Sequence, residues 1–168
     1  MAPATVELTS LRLRLVPVTR ATADAVLSQQ DLGFTWAPDF TPLHVPAQPF
    51  IDSLLKFAGM HLLVDAVVGE LLGYTRFEAD RRQPEVVWLY YGVAESRQGR
   101  GFATEGVRAQ VEWLLSQADV QTLKADVARS NLPSKAVLTK LGFTPTSPGI
   151  QEVWQLGRTG HRQRIVGD

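Results

Sequence analysis

The sequence predicts an α/β domain: strands in one sheet, with helices packed on it. Three observations carry this. A nearly continuous apolar run, Val86 to Val93, leads through a glycine-rich loop into a helix with a stripe of Ala103, Val107, Val111, Leu114, Leu115 and Ala118, the spacing of a core-facing helix. A second unit repeats the alternation: Leu123, Ala125 and Val127 alternate with Lys124 and Asp126 as a strand, and a helix follows between Asn131 and Gly142. Finally, 168 residues with 45% hydrophobic and 20% charged side chains can bury a sizeable core without dividing. One domain is expected over residues 1–157, with 158–168 as a polar, basic, frayed tail.

In chain order, Val6 to Val18 reads as a half-buried strand, with Leu11, Leu13 and Leu15 on one face and Arg12 and Arg14 on the other. Thr22 to Gln30 should be a helix started by Thr22 or Asp24, with Ala25 and Val26 inward. Gly33 to Pro49 carries Pro38, Pro42, Pro46 and Pro49 among Phe34, Trp36, Phe40 and His44. Proline removes donors and restricts its predecessor, so little regular structure is expected there. Its aromatics either form a binding loop or plug one end of the core; His44 is read as a loop histidine. Phe50 to Phe57 reads as a short helix ended by Gly59.

Met60–Val64 and Leu71–Phe77 form a hairpin, Asp80–Pro84 a charged turn, and Val86–Val93 a central strand. Gly92 within that strand signals a bulge or a close backbone approach to a ligand. Asn131 as N-cap, Pro133 in the first turn and Gly142 with Phe143 at the end bound the last predicted helix. Phe143 to Leu156, interrupted by Thr144–Gly149, supplies two closing strands.

Composition removes several classes. Lys+Arg and Asp+Glu are both 17, so no basic field points to nucleic acid. Without cysteine there is no disulfide, thiolate metal site or cysteine nucleophile. No apolar run approaches a membrane span, and a cytoplasmic location is the default expectation. No metal-ligand spacing or Ser-His-Asp set is present.

The glycine loop is the chemical signal. Glycines let the backbone approach a ligand, and the unpaired N–H groups of the following helical turn, with the macrodipole behind them, suit a phosphate. Arg97 and Arg100 add mobile positive charge at the rim. The loop lacks the Gly-Lys-Ser/Thr ending of a Walker A motif, and Thr104 stands where the dinucleotide fingerprint needs Gly or Ala. Gln98-Gly99-Arg100-Gly101-Phe102-Ala103 instead resembles the Gln/Arg-x-x-Gly-x-Gly/Ala loop of GCN5-related N-acetyltransferases (GNAT). The longer string through Thr104-Glu105 and the opening Leu8-Thr9-Ser10-Leu11-Arg12-Leu13-Arg14 are similar to the branch containing the ribosomal-protein N-terminal acetyltransferases. Asn131-x-x-Ser134, followed by Gly142-Phe143, resembles the last conserved element of the family.

The resemblance, from about Leu8 to Leu156, implies a twisted mixed sheet of about seven strands flanked by helices. It implies that Arg97, Gln98, Gly99, Arg100, Gly101, Phe102, Ala103 and Thr104 hold the pyrophosphate of acetyl-CoA. Asn131 would bond the pantetheine arm, Ser134 would serve the departing thiolate, and a backbone N–H near Gly92 or Val93 would meet the oxyanion. No metal is implied, and monomer and homodimer both stay open.

Acyl transfer needs a neutral amine held against the thioester carbon. An α-amine, with a pKa of about 7.7–8.0, meets this near neutral pH far better than a lysine at about 10.4. The acceptor is therefore expected to be a protein N-terminal α-amine or a small amine. Glu85, before the central strand, is either the general base or a solvated turn residue, and Glu70 is a further candidate. Glu105 is assigned to the helix dipole rather than to chemistry. The alternative to an enzyme is a non-catalytic acyl-CoA-binding sensor.

Overall fold

The computed structural model describes residues 6–28, 30–40, 52 and 59–165, with only the backbone for 162–165. The predicted Phe50–Phe57 helix, His44 and the distal half of the Gly33–Pro49 segment lie outside the described residues, apart from a helical Asp52.

The elements are β1 (Leu8–Thr9), β2 (Leu13–Pro17), α1 (Arg20–Leu27), β3 (Thr35–Trp36), β4 (Met60–Asp65), β5 (Glu70–Ala79), β6 (Val86–Val93), α2 (Phe102–Ser116), β7 (Thr122–Ala128), α3 (Leu132–Leu141), β8 (Thr144–Ser147), β9 (Gln151–Gly157) and α4 (Arg158–Ile165). Among the described residues the strands form a mixed sheet of nine, of which β1 and β3 are two-residue strands. The chain divides into two compact units, Ala2–Phe77 with Tyr90–Gln110 and Glu78–Leu89 with Val111–Asp168. The divisions fall inside β5, β6 and α2 rather than in linkers.

In the first unit the strand order is β1-β2-β4-β5, all antiparallel, with β3 parallel beside β5. Five consecutive residues of β4, Met60 to Val64, are buried, because both faces of this sheet are covered. Met60, Leu62 and Val64 pack with Leu71, Tyr74, Val26, Ala37 and Phe40. Leu63, on the other face, packs with Leu13, Leu15, Leu72 and Phe102. His61 is buried among them: its Nε2 lies 2.9 Å from the Val6 carbonyl oxygen, and its Nδ1 lies 3.4 Å from Nε2 of Gln110.

The predicted strand Val6–Val18 is broken into a tight hairpin, with Leu8 opposite Leu15 and Thr9 opposite Arg14. Leu13 and Leu15 are buried as expected, but Leu11 sits in the turn at 93% exposure. The cause is local. Ser10 N–H donates to the Leu13 carbonyl, Leu13 N–H donates to Ser10 Oγ, and the Ser10 hydroxyl and Arg12 N–H both donate to the Glu105 carboxylate. Helix α1 starts at Arg20, capped by Thr19, whose Oγ1 accepts from Thr22 N–H at 3.1 Å; Ala23 and Val26 are its buried residues. The described aromatics of the proline-rich segment serve the core: Phe40 is buried and stacks on Tyr74, and Phe34 and Trp36 pack beside it.

In the second unit the strands run β6-β7-β9-β8. Val86–Trp88 pair in parallel with Thr122–Lys124, and β7 pairs along its whole length with β9, antiparallel. Thr144–Ser147, read as an interruption, is itself strand β8. Ala118, predicted on the apolar stripe, lies beyond the end of α2 and is exposed. The expected frayed tail instead carries α4. Its first residue explains this, since Arg158 N–H donates to the Gln121 carbonyl and the guanidinium donates to the carbonyls of Gln117 and Val120.

Candidate active site

In the first unit, β6 ends at Val93, a 3-10 turn follows over Glu95–Arg97, and α2 begins at Phe102. Gly99 and Gly101 take φ of +72° and +83°, a left-handed conformation that side-chain-bearing residues rarely adopt. This winding turns the loop carbonyls inward. The Gly101 carbonyl accepts from Glu105 N–H at 3.0 Å, and the Arg100 carbonyl accepts from Arg12 Nη1 at 3.1 Å. Among the described residues, no hydrogen bond is made by any backbone N–H from Gly99 to Thr104. Six successive donors at the positive end of a 15-residue helix make an anion cradle.

The side chains around the cradle are more constrained than their charges suggest. Gln98 Nε2 donates to the Val93 carbonyl at 3.1 Å, which folds the loop back on the strand end. Arg97 is not mobile at the rim: its Nε and Nη2 grip the two oxygens of Glu70 at 2.6 and 2.8 Å. The hydrogen bond to Glu70 raises the Arg97 pKa above its ordinary value. Arg100 is exposed. Asp39 accepts from Ser96 N–H and Oγ at 2.7 and 2.5 Å, tying the proline-rich segment to the turn before the cradle.

Glu105 does more than answer the dipole. One carboxylate oxygen accepts from Ser10 Oγ at 2.8 Å and Arg12 N–H at 2.6 Å; the other accepts from Arg12 Nε at 2.7 Å. Partial burial works to raise its pKa, but the Arg12 backbone N–H, the Ser10 hydroxyl and the Arg12 guanidinium outweigh that and hold it below the usual carboxylate value. Sequence reading passed over Arg12, Ser10 and Asp39. Arg12 looks like any charge on the outer face of a strand, and its partner lies 93 residues away.

Gly92 also lies close to other parts of the chain. A Cβ on Gly73 would come within 2.3 Å of the Gly92 carbonyl oxygen, and one on Gly92 within 2.9 Å of the Tyr74 ring. Tyr90, more exposed than Tyr91, has the Arg76 guanidinium 4.8 Å from its ring centre.

In the second unit, Asn131 Oδ1 accepts from Ser134 N–H at 3.1 Å and caps α3. Asn131 is exposed, and Ser134 is half-buried on the first turn. Lys135 pairs with Glu152 at 2.9 Å, and this hydrogen bond lowers the Glu152 pKa. Glu85 is exposed, and its carbonyl receives the N–H groups of Gln121 and Thr122 at the start of β7. Glu85 immediately precedes β6, and Val93 is the last residue of that strand. No group of three or more His, Cys, Asp or Glu able to hold a metal occurs among the described residues, and no described helix is long and apolar enough to cross a membrane.

Comparison with known proteins gives these features a context. The family model described as an acetyltransferase (GNAT) domain matches residues 12–144. A search of the curated proteins found no match. Among solved structures, the fold is similar to a GNAT-family acetyltransferase of Bacillus anthracis (TM-score 0.67, 12% identity, 92% of this chain and 99% of that one). It is also similar to the ribosomal-protein-S5-alanine acetyltransferase of Vibrio fischeri (0.65, 14%, 92% and 97%). A third is the aminoglycoside acetyltransferase AAC(6')-Ib in complex with coenzyme A (0.61, 21%, 92% and 98%).

Proposed function

The chain belongs to the acetyltransferase (GNAT) family, and from that premise we propose that it transfers the acetyl group of acetyl-CoA directly to a primary amine, with a protein N-terminal α-amine or a small amine as acceptor. The observation that carries the cofactor half is the run of six N–H groups, Gly99 to Thr104, that bond to nothing among the described residues. Such a cradle suits the pyrophosphate of acetyl-CoA. Gln98, Gly99, Arg100, Gly101, Phe102, Ala103 and Thr104 are the residues we assign to it. Arg97 supports the loop through Glu70.

In the reaction, the amine nitrogen attacks the thioester carbon, the C–S bond breaks, and the proton that the nitrogen gives up balances the one that the departing thiolate takes to become a free thiol. We assign the Val93 N–H to the developing oxyanion, where a fixed donor is worth most. Asn131 is assigned to the pantetheine arm, and the Ser134 hydroxyl to the leaving sulfur. Glu85, just before β6, is our candidate general base, acting directly or through a water. Glu70 and Glu105 are both engaged by arginines. With those two committed, an acceptor that is already partly neutral near pH 7 asks least of a base, and this favours an α-amine over a lysine. The neighbours include enzymes named for a ribosomal-protein alanine and for an aminoglycoside, so the test spans both acceptor types.

Isothermal titration with acetyl-CoA, CoA and ATP, against wild type and Gly101→Glu, examines the cofactor site. Micromolar acetyl-CoA binding, about −8 kcal/mol, lost in the variant and absent with ATP, supports the assignment. Release of free thiol with N-terminal peptides, polyamines or aminoglycosides then identifies the acceptor class. A protein that binds acetyl-CoA yet releases no thiol with any of them is a sensor, and the enzymatic reading fails.

A further inference from the structure

Arg12 is the residue on which the cradle closes. Its guanidinium makes contacts in three directions: Nε and Nη2 to Glu105 Oε2, both at 2.7 Å; Nη1 to the Arg100 carbonyl at 3.1 Å; and its planar face to the Phe102 ring, 4.5 Å from the centroid. A Cβ on Gly101 would stand 3.4 Å from Nη2, so the loop passes over this guanidinium at van der Waals distance. The Arg12 side chain is 41% exposed, whereas Glu105 beneath it is 16% exposed.

Two consequences follow from elementary geometry. Among the described residues no peptide bond is cis. In a planar trans peptide the C=O and the following N–H point in opposite directions. Holding the Arg100 oxygen on Arg12 therefore turns the Gly101 N–H away from Arg12, to the outside of the loop where an anion is met. The second consequence is electrostatic. A carboxylate in the first turn of a helix repels an anion bound at the same terminus. Here the Glu105 charge is answered by the arginine and by two further donors, Ser10 Oγ and Arg12 N–H.

We propose that Arg12 is a positioning residue for acetyl-CoA: through the Arg100 carbonyl and Glu105 it orients the Gly101 peptide and masks a carboxylate, so that the loop accepts a pyrophosphate. This rests on the acetyl-CoA reading above. It assigns Arg12 no contact with the ligand and no part in the chemical step.

The test uses two donors that share a thioester, acetyl-CoA and S-acetylpantetheine, the second lacking the pyrophosphate. In Arg12→Met the KM for acetyl-CoA should rise about ten- to a hundredfold, the range for losing a hydrogen bond to a charged group. The rate with S-acetylpantetheine should stay within about twofold, because no step that Arg12 organises is used by that donor. Adding Glu105→Gln to Arg12→Met should recover part of the loss by removing the unmasked charge. Equal losses with both donors would show a merely structural arginine and overturn the proposal, as would an unchanged KM for acetyl-CoA. If Arg12→Met does not fold, Arg12→Lys provides the same comparison, since an ammonium cannot fork to both Glu105 and Arg100. Wild-type protein that fails to bind acetyl-CoA would overturn the functional reading itself; wild-type binding with indifferent variants overturns only the role of Arg12.

Discussion

Arg97 closes on Glu70 with two parallel hydrogen bonds, Nε to Oε2 at 2.6 Å and Nη2 to Oε1 at 2.8 Å, and both side chains are mostly buried. The pair joins the start of β5 to the turn that enters the cradle. We propose that this bidentate pair braces the loop. Arg97→Met and Glu70→Gln should each lower stability by about 1–3 kcal/mol, since each leaves a half-buried polar partner unmet. Acetyl-CoA affinity in the folded variants should stay within about threefold of wild type, less than about 0.7 kcal/mol. Urea unfolding and titration read the two quantities separately. A large affinity loss without a stability loss would return Arg97 to the ligand set.

His61 predicts a pH dependence of stability. Burial lowers its pKa from 6.5, with the Val6 carbonyl partly opposing. The unfolded chain therefore takes up the proton more readily than the folded one. The contribution is fully present above about pH 6.5 and is lost as pH falls through that value toward the folded-state pKa, with a slope of at most about 1.4 kcal/mol per pH unit. Urea unfolding between pH 5 and 7.5 should show this decline in the wild type and a flatter profile in His61→Gln. Identical slopes would remove His61 as its source.

The strand–glycine loop–helix geometry was legible in the sequence because its parts are contiguous and need nothing from elsewhere. The same holds for the α3 cap, where Asn131, Ser134 and Gly142 lie within one helix. What escaped depends on long-range pairing. The Ser10–Leu13 turn is stabilised by Glu105, so Leu11, which continues the alternation, was assigned to a face it does not occupy. Arg158, at the head of a polar segment, looked like a tail until its carbonyl acceptors at Gln117 and Val120 were in place. Thr35–Trp36 form a strand among prolines because β5 offers them an edge, which the local sequence cannot announce.

The Gly73–Gly92 contact predicts an ordered pair of overpacking effects. A methyl on Gly73 would stand 2.3 Å from a backbone oxygen, whereas one on Gly92 would meet the Tyr74 ring at 2.9 Å. A strand backbone yields less readily than a side chain. Gly73→Ala should cost about 3 kcal/mol and Gly92→Ala about 1 kcal/mol, the two ends of the usual range for overpacking. Denaturant midpoints at constant m-value check the order. A reversed order would mean that the strands, not the tyrosine, give way.

Arg158 supplies the last prediction, on the link between a single side chain and a whole element. Helix α4 has no acidic residue in its first turn to favour its start, and its sequence, RTGHRQRI, offers no apolar stripe. Isolated polar helices of eight residues are unstable in water. What fixes α4 is its first residue, whose guanidinium reaches the carbonyls of Gln117 and Val120 just after α2 while its N–H meets Gln121. Arg158→Ala should therefore lower stability by about 1–3 kcal/mol, a Tm fall of roughly 3–10 °C for a chain of this size. It should also release the amides of α4 to fast hydrogen exchange while those of β9 stay protected by their ladder to β7. Arg158→Lys should recover only part of this, because one ammonium cannot match the fork. If the α4 amides stay protected in Arg158→Ala, the helix is held by something other than this arginine.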